Sequence, residues 1–183
     1  MSAMRADARR NYDRLLAEAE AAFRERGTGA PLEEIARSAG VGIGTLYRHF
    51  PTRDALLEAL LHDRFSTLCE REAELAGADS PRAALIDWLR DFARSSSRYR
   101  GLPDSVMATL ANEESALHAS CHAMREAGAR LLARAQEAGE VRADLRPDEL
   151  LLLAASVSWA AEHQEGDSAE RLLTLLIEGI DPR

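Results

Sequence analysis

The 183-residue sequence contains no lysine, only two cysteines and few aromatic residues, which make up 5% of the chain. The cysteines, Cys69 and Cys121, are far apart, which argues against a disulfide framework and indicates a reducing compartment. Aromatic and β-branched residues are too scarce for a β-rich protein, whereas Ala, Leu, Glu and Arg are abundant and favour helices. The composition therefore predicts an all-α protein.

No apolar segment of the sequence is long enough to cross a bilayer. The longest, from Leu150 to Ala161, is interrupted by Ser156 and Ser158 and is shorter than the roughly 20 residues that a transmembrane helix needs. The first residues also lack the apolar core of a secretion signal. We therefore expect a soluble, cytoplasmic protein that does not interact with a membrane.

Charge is unevenly distributed along the chain. The formal net charge is -8, yet residues 1–53 contain nine arginines and seven acidic residues, which gives this part a net charge of +2. The remaining 130 residues therefore carry a net charge of -10. A mildly basic head on an acidic body is typical of a modular DNA-binding protein, because a few phosphate contacts hold the head while the body repels misplaced phosphate.

Glycine, proline and polar residues divide the sequence into about nine helical segments, without an internal repeat. The predicted segments are 6–26, 31–38, 43–49, 52–75, 81–100, 104–116, a longer one that ends at 138, 148–164 and 168–180. Thr52 and Ser80 are predicted N-caps, and Pro81 occupies a first-turn position where proline is favoured. Two of these helices, 31–38 and 43–49, are short and adjacent.

These two short helices have the pattern of a helix-turn-helix. Gly40 lies between them and can adopt the left-handed conformation that a short turn requires. The residues predicted to form the apolar core are Leu32, Ile35, Ala36, Val41, Leu46 and Phe50. The remaining residues of the second helix are then exposed, and their polar groups can donate hydrogen bonds to phosphates and base edges.

The sequence from Pro31 to Leu57 resembles the DNA-binding signature of the TetR family of repressors. The matching stretches are Ile35-Ala36, Ala39-Gly40-Val41, Gly44-Thr45-Leu46-Tyr47-Arg48-His49-Phe50 and Arg53-Asp54-Ala55-Leu56-Leu57. The resemblance implies a three-helix DNA-binding domain, residues 1–51, and a larger helical effector-binding and dimerisation domain, residues 52–183. Residues 101–103, 131–136 and 139–144 are also similar, less specifically, to the ligand domain of one branch of TetR-like regulators.

The same resemblance implies which residues contact DNA. Tyr47, His49 and Arg53 are expected to bind phosphates, and Arg48 is expected to form hydrogen bonds to a base. The complete predicted set is Thr28, Gly42, Ile43, Gly44, Thr45, Tyr47, Arg48, His49 and Arg53. In an alternative interpretation, the ring of Tyr47 packs against the helices and its hydroxyl alone matters.

Two glycines depart from the family pattern. Gly42 stands where the family usually has a serine or a similar cap, and Gly44 follows within the same short helix. An interior glycine destabilises a helix by roughly 1 kcal/mol relative to alanine. We therefore hypothesise that the recognition helix frays in the free protein and becomes ordered on DNA.

An apolar pocket between helices of the larger domain is the expected site for an unidentified small-molecule effector. The candidate lining residues are Phe65, Trp88, Phe92, Met107, Leu110, Met124 and Trp159. Each of them also fits ordinary core packing, and methionines are common gap fillers.

Glu114, His118 and His122 follow one another at intervals of four residues, a spacing that can place metal ligands on one helix face. Exposed imidazoles are more often solvated, however, and no fourth ligand can be assigned. We therefore predict no bound metal and no cofactor. The sequence also lacks a recognisable set of nucleophile, acid and base residues, so we predict that the protein is not an enzyme.

The last two predicted helices are unusually apolar. Apolar residues surround nearly the whole of 148–164, and the apolar stripe of 168–180 is almost as wide. A helix that is apolar all round must be covered on both sides. We therefore predict that both helices pack on their own core and on a second subunit in a two-fold, four-helix contact, the alternative being that they are central in a monomer.

The sequence as a whole predicts a DNA-binding transcriptional regulator. The expected protein is a homodimer that binds double-stranded, palindromic operator DNA as a repressor and is released by its effector. The alternative is a small-molecule- or metal-binding helical dimer that does not bind an operator.

Overall fold

The computed structural model describes residues 2–96, 104–162 and 168–182. Within these residues the chain forms nine α-helices and no β-strand, which confirms the predicted all-α class. The helices are α1 (Ser2–Arg26), α2 (Leu32–Ser38), α3 (Ile43–His49), α4 (Arg53–Leu75), α5 (Pro81–Ser96), α6 (Asp104–Ala111), α7 (Ala116–Glu137), α8 (Pro147–Glu162) and α9 (Ser168–Gly179). None of the helices in this part of the chain is both long and apolar enough to cross a membrane.

Side-chain caps fix the start of several helices. The backbone N–H of Ala55 donates to Oγ1 of Thr52 at 3.0 Å, and the N–H of Ala83 donates to Oγ of Ser80 at 3.2 Å. Both predicted N-caps are therefore confirmed. Each cap satisfies one of the backbone donors that the first turn of a helix leaves without a helical partner.

The boundary between α6 and α7 differs from the prediction. The expected helix to residue 116 ends at Ala111, because Asn112 and Ser115 form a turn instead. The N–H of Glu114 donates to Oδ1 of Asn112 at 3.1 Å, and the N–H of His118 donates to Oγ of Ser115 at 2.9 Å. Short polar side chains of this kind compete with the helix for backbone hydrogen bonds, and Ser115 caps α7.

Contacts divide the chain into two compact units. The first contains α1, α2, α3, the part of α4 up to Asp63, α6 and the start of α7 up to His118. The second contains the rest of α4 from Arg64, α5, the rest of α7, α8 and α9. The predicted domain boundary after residue 51 stays a prediction.

In the first unit, α2 contacts both α1 and α3 around an apolar core. The core includes Leu15, Phe23, Ile35, Leu46, Phe50, Leu56 and Leu57, all of them buried. Of the residues predicted to close the helix-turn-helix core, Val41 is only half-buried. It lies in the turn after α2, where the chain reaches the surface.

In the second unit, α8 packs against both α5 and α9. Ile86 of α5 forms an apolar cluster with Leu173 and Ile177 of α9, and Val157 of α8 packs against it. Trp88 is fully buried, and an ideal Cβ placed on Gly128 of α7 would lie 2.8 Å from its ring atom Cη2. The tryptophan therefore occupies the space that the absent side chain at Gly128 leaves open.

Candidate DNA-binding interface

The turn between α2 and α3 is built from backbone hydrogen bonds around Gly40. The N–H of Gly40 donates to the carbonyl of Arg37 at 3.0 Å, and the N–H of Val41 donates to the carbonyl of Ala36 at 3.0 Å. Gly40 has φ 67°, a left-handed conformation that side chains with a Cβ rarely adopt. This pair of bonds is the Schellman arrangement, and it ends α2 sharply so that α3 can begin at Ile43.

Helix α3 has a buried side and an exposed side. Leu46 is buried within the helix, and Phe50, directly after it, is buried as well. Gly42, Ile43, Gly44, Tyr47 and Arg48 are exposed, and Thr45 and His49 are half-buried. The structure therefore places the predicted contact residues of this helix together on the surface, opposite the residue that anchors it.

Two of these side chains have partners that orient them. Nη2 of Arg48 donates to Oγ1 of Thr45 at 2.8 Å, one helical turn back. The His49 ring meets the ring of Tyr12 edge-on at a centroid distance of 5.9 Å, and Tyr12 also packs on Phe50 at 5.0 Å. Burial raises the pKa of the Tyr12 hydroxyl. This residue of α1 supports the His49 ring by direct contact.

Arg53, which was predicted to bind phosphate, also has a structural role. Its Nη1 donates to the carbonyl of Thr28 at 2.8 Å and to the carbonyl of Ala30 at 2.5 Å. Arg53 thereby ties the first turn of α4 to the loop between α1 and α2. Since a guanidinium has five N–H donors, it can hold this loop and a phosphate together. Thr28, the other predicted contact outside α3, lies in the same loop and is half-buried.

Sequence reasoning missed the contribution of α1 to this site. Tyr12 contacts His49, as described, and Nη1 of Arg14 lies 3.8 Å from the position of an ideal Cβ on Gly40. These contacts depend on how α1 packs beside the turn, and helical periodicity does not specify that. The arginine content of the first residues was the available signal.

Replacing Gly44 by alanine is expected to stabilise the protein and weaken DNA binding. An added Cβ at Gly44 would have no heavy atom within 4 Å, so the higher helix propensity of alanine should raise the free energy of unfolding by up to about 1 kcal/mol. The same methyl group would separate the exposed backbone of α3 from a DNA strand. Thermal denaturation and DNA titration measure the two effects.

Gly179→Ala is the matched control for this substitution. Gly179 is the last residue of α9, and it too has no heavy atom within 4 Å of an ideal Cβ. We expect its DNA affinity to equal that of the unsubstituted protein. Unchanged affinity in Gly44→Ala as well would show that DNA does not approach the backbone at residue 44.

The predicted pocket residues fall into both units. In the second unit, Phe65, Trp88, Phe92 and Met124 are buried, and the rings of Trp88 and Phe92 stack at a centroid distance of 5.7 Å. In the first unit, Met107 is exposed and Leu110 is half-buried. The side chain of Trp159 lies outside the described residues. The structure thus brings Trp88 and Phe92 directly together and places Met107 on the surface.

Two open clefts of about 460 and 470 Å³ lie around the connection between α7 and α8. Arg142 and Asp144 line both of them. Neither cleft is lined by a residue of the predicted effector pocket. The amide of Gln136 holds this connection by donating to the carbonyls of Arg142 and Leu145, at 3.0 and 2.9 Å.

The row of candidate metal ligands is not on one helix. Glu114 lies in the turn before α7, so only His118 and His122 share that helix. Nδ1 of His118 is hydrogen-bonded to the carbonyl of Leu110 at 2.9 Å, and Nδ1 of His122 lies 3.7 Å from a carboxylate oxygen of Glu126. Within the described residues, no three His, Cys, Asp or Glu side chains are grouped closely enough to hold a metal ion.

Both cysteines are free thiols in the structure. Burial raises the pKa of the Cys69 thiol and of the Cys121 thiol. A raised pKa lowers the fraction of thiolate at neutral pH, and the thiolate is the reactive form. Neither cysteine is therefore activated as a nucleophile.

Comparison with known proteins matches both parts of the chain to one family. Residues 15–60 match the model of the bacterial regulatory proteins of the tetR family, and residues 80–182 match the C-terminal domain of SbtR-like transcriptional regulators. The comparison with curated protein sequences gives no match. The second family model alone covers more than half of the chain.

Solved structures agree with this assignment. A TetR transcriptional regulator from Streptomyces coelicolor is 36% identical, with 93% of this chain and 98% of that chain covered and a TM-score of 0.74. A TetR transcription regulatory protein from Mycobacterium vanbaalenii is 34% identical, with 97% and 99% covered and a TM-score of 0.68. NemR of E. coli in its reduced form, at 18% identity, 94% and 98% coverage and a TM-score of 0.69, shares the fold. The chain therefore belongs to the TetR family of transcriptional regulators, and it is a DNA-binding regulator and not an enzyme.

Proposed function

We propose that the protein is a ligand-released repressor that binds a near-palindromic operator as a cytoplasmic homodimer. The observation that carries the proposal is the exposed face of α3, where Tyr47 and Arg48 lie opposite the buried Leu46. A tyrosine hydroxyl can donate to phosphate, and an arginine can contact guanine with two hydrogen bonds. Because Leu46 anchors α3 to the core, both groups face away from that core, where DNA can reach them.

Exposed leucines on α8 and α9 support the homodimer. Leu152 and Leu153 of α8 and Leu175 of α9 are 69%, 49% and 53% exposed, whereas Leu150 and Leu173 on the same two helices are buried. Large apolar side chains that are exposed on two neighbouring helices favour a subunit contact. A second copy of the same two helices would cover them in a two-fold arrangement, as the sequence pattern predicts.

Helix α4 is the element that would transmit effector binding. In the first unit its Arg53 holds the loop between α1 and α2. In the second unit, Nε1 of Trp88 donates to the carbonyl of Leu68 at 2.8 Å, and Nη2 of Arg130 lies 2.7 Å from a carboxylate oxygen of Glu72. Because α4 is continuous, an effector that moves its second half also acts on its first.

The effector site that we propose lies against the buried aromatic and sulfur-containing side chains of the second unit. These are Phe65, Trp88, Phe92 and Met124. A ligand shifts an equilibrium between DNA-binding and released states only by its different affinity for the two, and this difference is commonly worth about 1 to 3 kcal/mol. The apolar character of these four side chains favours an effector with an apolar or aromatic body.

Selection of bound duplexes from a random DNA pool, at a stated salt concentration, tests the function. The protein should enrich a near-palindromic motif. Tyr47→Ala should weaken binding to that motif about ten- to hundredfold, the effect of losing a hydrogen bond to a charged group. Tyr47→Phe keeps the ring and removes only the hydroxyl. Its affinity for the motif should fall by a similar factor if the hydroxyl makes the contact.

Because Tyr47 is exposed, both substitutions should leave the thermal midpoint nearly unchanged. If Tyr47→Ala binds the motif with unchanged affinity, the proposed role of α3 is wrong. A folded protein that enriches no motif would favour the alternative, a small-molecule-binding helical protein that does not bind an operator.

A further inference from the structure

The positive charge of the first 53 residues lies outside the helix-turn-helix. Residues 15–53 contain five arginines and five acidic residues, so this part is neutral. Residues 1–14 contain four arginines and two aspartates, which give the whole net charge of +2. Affinity for a polyanion depends on cationic side chains, and in this head their excess belongs to the first turns of α1.

Two of these arginines, Arg9 and Arg14, lie close to residues that flank or contact the recognition helix. Nη1 of Arg14 lies 3.8 Å from an ideal Cβ on Gly40, in the turn that precedes α3. The guanidinium carbon of Arg9 lies 5.8 Å from the centroid of the Tyr12 ring, and this ring contacts His49 at the end of α3. Arg14 therefore lies beside the turn that precedes α3, and Arg9 lies over the Tyr12 ring that contacts the end of α3.

The present partners of both arginines are exchangeable. Nε of Arg9 lies 3.1 Å from Oδ1 of Asp13, but the two side chains are 77% and 54% exposed, so water screens this pair. Nη2 of Arg14 donates to the neutral amide oxygen of Asn11 at 2.6 Å. A phosphate carries a full negative charge and accepts two parallel hydrogen bonds from a guanidinium, so it competes well against the neutral amide of Asn11 and can replace the exposed, screened carboxylate of Asp13.

We propose that Arg9 and Arg14 bind the phosphate backbone of duplex DNA next to the recognition helix. Helices α1 and α3 then form one phosphate-binding surface, and α1 adds to the electrostatic affinity of the helix-turn-helix. The inference rests on the proposed DNA-binding function and adds residues to it. Because phosphate contacts are independent of sequence, these arginines set affinity and orientation while α3 reads the bases.

The salt dependence of DNA binding tests this inference. We compare the full-length protein with the double variant Arg9→Gln/Arg14→Gln on the selected motif and on a scrambled duplex of equal length. Each phosphate contact contributes about 0.9 to the slope of log affinity against log salt. The double variant should therefore show a slope that is shallower by about 1.8 per chain on both duplexes, with roughly ten- to hundredfold weaker binding at low salt.

Two further variants separate this effect from net charge and folding. Arg90→Gln/Arg94→Gln removes the same charge from α5, where the two arginines are paired with Asp87 and Asp91, and its slope should match that of the unsubstituted protein. Arg9→Lys/Arg14→Lys should retain the original slope because the charges remain. Circular dichroism should be the same for all variants.

An unchanged slope in Arg9→Gln/Arg14→Gln overturns the inference, and so does an equal change in the α5 variant. Failure of the proposed function has a different signature. In that case the unsubstituted protein enriches no motif. The salt dependence of its binding to the scrambled duplex still shows whether α1 binds phosphate.

Discussion

Replacing Trp88 by alanine should lower the free energy of unfolding by about 3 to 5 kcal/mol, as truncation of a buried aromatic side chain does. Trp88 is fully buried, its ring stacks on Phe92, and its Nε1 donates to the carbonyl of Leu68 at 2.8 Å. The substitution removes the ring contacts and this donor together. Denaturant titration followed by circular dichroism measures the loss, which is large against the roughly 5 to 15 kcal/mol of a typical domain.

Gly128 provides an independent test of the same packing. An ideal Cβ on Gly128 would lie 2.8 Å from Cη2 and 2.9 Å from Cζ3 of Trp88. Gly128→Ala should therefore destabilise by about 1 to 3 kcal/mol, the usual cost of overpacking, offset in part by the helix propensity of alanine. The clash involves the distal ring of the indole, and the shorter side chain of phenylalanine has no second, fused ring at that position.

A double-mutant cycle with Trp88→Phe isolates this contact. Gly128→Ala should cost at least about 0.5 kcal/mol less in the Trp88→Phe protein than in the unsubstituted one. Equal costs in the two backgrounds would show that another neighbour excludes the methyl group. A loss of less than about 1 kcal/mol in Trp88→Ala would show that the second unit does not depend on this side chain.

Local signals allowed the turn after α2 and two helix starts to be predicted from the sequence. Gly40, Thr52 and Ser80 each act within a few residues: the glycine adopts φ 67°, and each hydroxyl caps the helix that follows it. The exposed face of α3 followed from the same reasoning, because the apolar Leu46 and Phe50 had to be inside. Family resemblance then supplied the expected DNA contacts of that face.

Contacts between residues far apart in sequence were harder to predict. The bond from Arg53 to the carbonyl of Thr28 joins residues 25 positions apart, and the contact between Tyr12 and His49 spans a longer separation. Glu114, His118 and His122 were predicted to share one helix face, because their spacing fits a helix whether or not one helix contains all three. The hydrogen bonds of Asn112 and Ser115 instead form a turn that places Glu114 before α7.

Replacing both Leu152 and Leu175 by glutamate should convert the proposed dimer into a monomer. These side chains are 69% and 53% exposed in the single chain, while Leu150 and Leu173 beside them are buried. In the proposed dimer a second copy covers the exposed pair. A carboxylate without a partner costs several kcal/mol to bury there, whereas in the monomer it is solvated.

Sedimentation equilibrium measures the change, from twice the chain mass to the chain mass. Met107→Glu is the matched control, because Met107 is an apolar residue of α6 that is 48% exposed. Its variant should remain dimeric. A double-glutamate variant that also remains dimeric would place the subunit contact elsewhere than on α8 and α9.

Loss of the dimer should have a large effect on operator binding. Two heads on one dimer bind two half-sites about 34 Å apart, and the second contact forms at high effective concentration. The double-glutamate monomer should therefore bind the full operator about 10² to 10⁴-fold more weakly, while its affinity for an isolated half-site is unchanged. If half-site binding is lost as well, the substitutions have disturbed the head, and the dimer does not account for the loss. If full-site affinity is retained by a proven monomer, each head binds independently, and the palindromic operator is not required.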